Sequence, residues 1–178
     1  MNKKIAILRG INVGGKRKIR MSDLKSLCEK LGWKDVETYI QSGNLIFTSD
    51  NQNSDLEETL ELAIKEKYGF DVPVIVRNSK EFQTSIDNNP FFNKNAEINQ
   101  LHLTFLKEKP LQEKEMEILT QSYEPDKFKI VGKDIFILCV GKYHRSKLNN
   151  NFFERKLNTG ATTRNWKTVL KLSELSKK

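Results

Sequence analysis

The chain has 178 residues, a hydrophobic fraction of 37% and a charged fraction of 30%, which fits a soluble globular protein of one domain or two small packed ones. Its apolar runs fall far short of the ~20 residues that cross a bilayer, and the short IAIL run after Lys3 and Lys4 does not make a signal peptide. Cys28 and Cys139 sit inside apolar patterns without C-x-x-C spacing, and only two histidines accompany them. That excludes a zinc pattern and points to a reduced, cytoplasmic protein with core cysteines.

The net charge of +8 is unevenly spread. Residues 1–34 hold 10 Lys+Arg against 2 Asp+Glu, residues 142–178 repeat that balance, and the stretch between them is acidic. Two basic ends call for an anionic partner, with nucleic acid or a phosphorylated ligand the natural classes.

The first strand is KKIAILRG. MSDLKSLCEKLG follows as a helix, with Ser22 as its cap and Leu24, Leu27, Cys28 and Leu31 as its apolar face. DVETYIQSGNLIFTS predicts two strands meeting at a tight Ser42-Gly43 turn. NSDLEETLELAIKEKYG predicts a helix opened by a capping box from Ser54 to Glu57. DVPVIVR predicts an edge strand, because Pro73 cannot donate to a ladder.

The β-α-β-β-α-β order through Arg77 is the ferredoxin-like arrangement. Strands one and two then run parallel, joined by a helical crossover. Their C-terminal ends, RGINVGG and QSGN, are predicted to be spatial neighbours.

The second half begins with a short helix in SKEFQTSIDNNPF and a strand within INQLHLTFLKEKP. LQEKEMEILTQS predicts a helix with Leu111, Met116 and Leu119 toward the core. DKFKIVGKDIFILCVG predicts a hairpin turning at Gly132-Lys133. RSKLNNNFFERKLN and TTRNWKTVLKLSEL predict two helices, the second capped by Thr162 or Thr163 with Trp166, Val169 and Leu170 inward. This β-α-β-β-α order reads as a second, incomplete copy of the first unit. The fold class is therefore α+β, with a ferredoxin-like subdomain over 1–79 and a related subdomain with C-terminal helices over 80–178.

Among chemical motifs, GINVGGK fits the first seven places of a phosphate-binding P-loop. The eighth place, which needs a magnesium-binding hydroxyl, holds Arg17, and the helix signals begin only at Ser22. The segment is not a nucleotide-hydrolysis motif. Its glycines and flanking Arg9 and Lys16 still suit either an anion site or a plain turn. His144 is a weak acid–base candidate and Ser42 a weak nucleophile, since neither has a partner at a recognisable spacing.

RGINVGGK, YIQSGN, SKL and TTRNW, in this order, resemble the bacterial family catalogued as domain of unknown function 1697, over essentially the whole chain. The resemblance implies a cytosolic α+β protein built from ferredoxin-like units and assigns no activity. Its signature positions fall on Arg9, Gly10, Asn12, Gly14, Gly15, Gln41, Ser42, Gly43, Asn44, Ser146, Lys147, Thr163, Arg164, Asn165 and Trp166.

Three readings stay open on these residues. One is an anion-binding module, its site drawn from Arg9, Asn12, Gly14, Gly15, Lys16, Gln41, Ser42, Asn44, Ser146, Lys147, Arg164 and Asn165. Another is an enzyme acting on a small phosphorylated or carboxylated metabolite. The third is structural, with glycine and asparagine satisfying backbone geometry and the cations bridging the halves. No cofactor motif is present in the sequence.

Overall fold

The computed structural model describes residues 2–177. The chain divides into two units, Met1–Thr84 with Lys171–Lys178, and Ser85–Leu170.

The first unit runs β1 (Asn2–Leu8), α1 (Met21–Lys30), β2 (Lys34–Tyr39), β3 (Asn44–Ser49), α2 (Asn53–Tyr68) and β4 (Val74–Asn78), followed by α3 (Ser79–Asp87). The sheet order is β2-β3-β1-β4 with every neighbouring pair antiparallel. β1 and β2 both pair with β3, so they run parallel to one another, as a split β-α-β unit requires.

Strand alternation sends Ala6, Leu8, Leu45, Phe47, Val74 and Val76 to one face, where they meet Leu24 and Cys28 of α1 and Leu56, Leu60 and Ile64 of α2. Trp33 stacks on Phe47 with ring centroids 3.9 Å apart. β4 is an edge strand, as Pro73 predicts, and its outward N–H groups are not left bare. Glu61 Oε1 accepts from the Val74 N–H and Glu57 Oε1 from the Val76 N–H, each at 2.8 Å.

That use of Glu57 corrects the predicted capping box. α2 starts at Asn53 after Gln52, with no side-chain cap, and Glu57 is spent on the sheet edge. Ser22 does not cap α1 either. The helix opens at Met21 directly after an extended Arg20, because the preceding segment buries Ile19 in the core and leads straight into the first turn.

The second unit runs β5 (Leu101–Leu106), α4 (Gln112–Leu119), β6 (Lys127–Val131), β7 (Asp134–Leu138), α5 (Asn150–Leu157) and β8 (Ala161–Asn165), and α6 (Trp166–Leu175) follows, its residues from Lys171 on counted with the first unit. Its sheet order, β6-β7-β5-β8, repeats that of the first. The copy is therefore complete, which corrects the sequence expectation. TTRN is the last strand, not the start of a helix. Its β-branched threonines favour the pleated register against Leu103–Phe105, and the helix begins only at Trp166.

The repeat extends to detail. β4 and β8 both end in Arg-Asn before a helix, and Arg77 and Arg164 each bond the preceding carbonyl through Nη1 at 3.0 Å. Asn78 and Asn165 each accept from the N–H three residues on, Glu81 and Thr168. Glu154 of α5 takes the Ala161 N–H at the edge of β8, as Glu57 and Glu61 do at β4.

In α4 the inward face is Ile118 with half-buried Lys114 and Glu115. Leu111, Met116 and Leu119 are 65%, 56% and 58% exposed, which overturns their assignment to the core. An eight-residue helix presents only about two turns, and here Ile118 is the residue that enters the core.

Candidate functional site

The segment after β1 folds on itself. Val13 and Lys16 form an isolated antiparallel bridge, with the Lys16 N–H on Val13 O at 3.1 Å. Gly14 and Gly15 lie between them at φ 58° and 75°. Two successive positive φ values make a type I′ turn, the two-residue turn whose twist matches a hairpin. GINVGGK is thus the tip of a small β-hairpin, and no helix start faces it as a P-loop would need.

Asn12 holds the base of this hairpin. Its Nδ2 donates to Ile19 O and to Gln41 O, both at 2.9 Å, and its Oδ1 accepts from the Ile19 N–H at 2.9 Å. Asn12 itself adopts φ 56°, a region asparagine tolerates better than most residues. The Gln41 contact joins the hairpin to the QSGN turn, and the Leu8 N–H adds a bond to Gly43 O at 2.9 Å. The two polar turns are neighbours, as the topology predicts.

The QSGN turn is built for packing. Asn44, fully buried, donates to Tyr39 O and Ser42 Oγ. Gly43 sits at φ 83°, and a Cβ there would lie 2.6 Å from Ile11 Cδ1 and 2.9 Å from Leu8 Cβ. Gln41 keeps an exposed side chain.

Residues 13–18 and Arg20 are all exposed. Among the described residues, Lys16, Arg17, Lys18 and Arg20 take part in no ion pair. Arg9 is half-buried at the root of the hairpin. The segment therefore presents a cluster of uncompensated cations around a 64%-exposed Val13. Arg17, Lys18 and Arg20 belong to this face although the sequence reading did not select them. Their signal was the RKIR run, and its exposure depended on the hairpin.

In the second unit, the hydroxyl of Ser146 donates to Asp126 Oδ2 at 2.6 Å and accepts from the Leu148 N–H at 3.1 Å. Leu148 is fully buried. Asp126 also takes the Val140 N–H. The SKL motif thus clamps its two outer residues and leaves Lys147 exposed.

Thr163 Oγ1 donates to Asn150 Oδ1 at 2.6 Å and lies 2.6 Å from Thr104 Oγ1. Asn165 caps α6 through Thr168. Arg164 is buried, and that burial draws its guanidinium down to about 9. Trp166 is core, packed at 5.3 Å on Phe92.

His102 is a buried strand residue stacked on Tyr143, with Nδ1 near Gln100 O, and burial holds its pKa below the usual histidine value. His144 is exposed. Among the described residues no group of three or more His, Cys, Asp or Glu side chains is placed to hold a metal. No helix among them is long and apolar enough to cross a membrane.

A broad pocket of about 520 Å³ also lies in the second unit. Lys147, Arg155 and Lys156 line it with Tyr123, Phe152 and Asn151.

Fold and site together define an α+β protein of two ferredoxin-like repeats, with a basic hairpin on the first and a basic, aromatic-lined pocket on the second. The chain belongs to the family described as protein of unknown function (DUF1697), whose model matches residues 1–136. Among solved structures it is similar to the conserved bacterial protein SP0830 from Streptococcus pneumoniae, with a TM-score of 0.80 and 24% identity. That match covers 100% of this chain and 99% of the other, so the two-unit fold is shared along its whole length. No curated protein sequence matches the chain.

Proposed function

We propose that the protein is a polyanion-binding module whose ligand is nucleic acid, engaged by the N-terminal hairpin. The observation that carries this reading is the set of exposed cations Lys16, Arg17, Lys18 and Arg20, free of ion pairs on a hairpin pinned by Asn12. Unpaired cations lose little on meeting phosphate, and each contact releases condensed counterions. A pinned hairpin also loses less conformational entropy on binding than a free loop. Arg9 and Gln41 flank the same surface. Asn12, Ser42 and Asn44 act in this reading as the frame, since their side chains serve the turns. A cytoplasmic setting accords with two buried, free cysteines.

The test is fluorescence anisotropy with labelled single-stranded DNA and RNA of about 20 nucleotides over a salt series. Binding should weaken with salt at a log–log slope of roughly −2 to −3, as expected for three or four phosphate contacts to a single strand. The Lys16→Glu/Lys18→Glu double variant, altered only at exposed positions, should bind at least about tenfold more weakly with a shallower slope. No binding at low salt sinks the proposal, as does capture by anionic lipid vesicles without binding to either oligonucleotide.

A further inference from the structure

The SKL motif is unexplained by the hairpin. Ser146 and Leu148 are committed to the fold, and Asn149 caps α5 by accepting from the Phe152 N–H at 3.0 Å while its Nδ2 reaches Ser146 O. The side chain these contacts leave over is that of Lys147. Ser146, bonded to Asp126 on one side and to the Leu148 N–H on the other, fixes the backbone that carries it.

Lys147 lies on the rim of the 520 Å³ pocket, with Arg155 from α5. Neither takes part in an ion pair among the described residues. Lys156, the third cation of the lining, is held by Glu117 at 3.0 Å. Two cations are therefore left uncompensated.

The apolar part of the lining is aromatic. Tyr123 and Phe152 are half-buried and meet edge-to-face, with centroids 5.3 Å apart. Tyr123 also meets Phe128 at 5.4 Å, and Phe152 meets Phe153 at 5.2 Å. These contacts fix both rings in place. The volume falls in the range of small-molecule sites, about 300–1,000 Å³.

We propose that this pocket binds a small phosphate monoester carrying a planar ring, of mononucleotide size. Arg155 supplies a planar fork suited to two phosphate oxygens and Lys147 a point charge beside it. Tyr123 and Phe152 offer ring surface to the base. The site is lined by residues of the second unit only, and it shares no residue with the hairpin.

The experiment is isothermal titration of the full chain with adenosine, guanosine, cytidine and uridine monophosphates. Adenosine, ribose 5-phosphate and inorganic phosphate serve as comparison probes. Saturable binding of at least one nucleoside monophosphate is expected, with adenosine and ribose 5-phosphate each weaker. Arg155→Ala and Lys147→Ala, both at exposed positions, should each weaken it roughly tenfold or more while leaving the circular dichroism spectrum unchanged. Phe152→Leu should weaken the nucleotide more than ribose 5-phosphate. The hairpin double variant should leave the affinity unchanged, which separates this proposal from that for the hairpin. The proposal is overturned by absence of saturable binding to all four nucleotides, by affinity undiminished in Arg155→Ala and Lys147→Ala, or by ribose 5-phosphate binding as tightly as the nucleotide.

Discussion

The Asn12 amide donates across 29 sequence positions to the carbonyl of Gln41, at 2.9 Å. With the two bonds to Ile19, this single side chain closes the N-terminal hairpin and ties it to the QSGN turn. Both N–H groups of the amide are used as donors. Asn12→Asp therefore keeps the shape and the acceptor but sets a carboxylate against two carbonyl oxygens. We expect Asn12→Asp and Asn12→Ala each to lower stability by about 1–3 kcal/mol, read by urea denaturation. Wild-type stability in Asn12→Asp would show that the donors do not matter.

Gly43 combines a left-handed φ with a crowded surrounding. The backbone conformation costs a non-glycine residue about 1–2 kcal/mol, and overlap with Ile11 and Leu8 adds about 1–3 kcal/mol. Gly43→Ala should therefore lower the melting temperature clearly. Gly14→Ala and Gly15→Ala, where a Cβ meets open space, should cost only the φ term. Equal effects at Gly43 and Gly14 would rule out the crowding.

Thr162 is buried in β8 with no hydrogen-bond partner for its Oγ1 among the described residues. A buried, unpaired hydroxyl costs about 1–3 kcal/mol, and removing it without changing shape recovers much of that. Thr162→Val keeps the β-branched shape and should raise stability by about 1 kcal/mol. A loss of stability on thermal melting would mean that the hydroxyl is bonded.

Burial keeps the His102 imidazole neutral below its ordinary pKa. In the unfolded chain it protonates near ~6.5. As pH falls below that value the unfolded state binds the proton first, so stability drops as the pH approaches the folded pKa. The His102→Gln variant should lose less stability between pH 7 and pH 5 than the wild type. The same loss in both proteins would exclude His102 as the source.

Burial, with Glu29 adding to it, pushes the Cys28 thiol up to about 12. Cys139 is also buried and raised by burial. Thiolate is the reacting form, so neither should react with a disulfide reagent near pH 8 until the protein unfolds, when both should. Rapid modification of the native protein would contradict the packing of both cores.

Much of the first unit was legible in the sequence, because IAIL and LIF are short continuous apolar runs of strand length and helical spacing is strong over the two helices. Pro73 marked the edge strand correctly. The helix starts were not legible. Ser22 and Ser54 have the right chemistry for caps, but the chain enters each helix earlier, and Glu57 serves a strand edge that local sequence cannot announce. In the second unit, β8 was hidden because ATTRN contains too few apolar residues to signal a strand. Its pairing with β5 supplies what local pattern lacks. The inward stripe of α4 was misplaced because an eight-residue helix has too short a period to fix its rotation.

The sequence by itself determined the repeat class, the adjacency of RGINVGG and QSGN, the core character of Trp166 and the concentration of positive charge at the two ends. Each follows from composition, periodicity or topology, which act along the chain. Only the tertiary structure decided which polar residues remain available to a ligand. Asn12, Asn44, Ser146 and Asn165 look like binding residues in a list of motifs, yet each is spent on a backbone group brought near by folding. Lys16, Arg17, Lys18 and Lys147 lie on the surface that those bonds shape. The reason is physical: a buried backbone donor or acceptor must be paired, and the nearest short polar side chain is drawn into that pairing first.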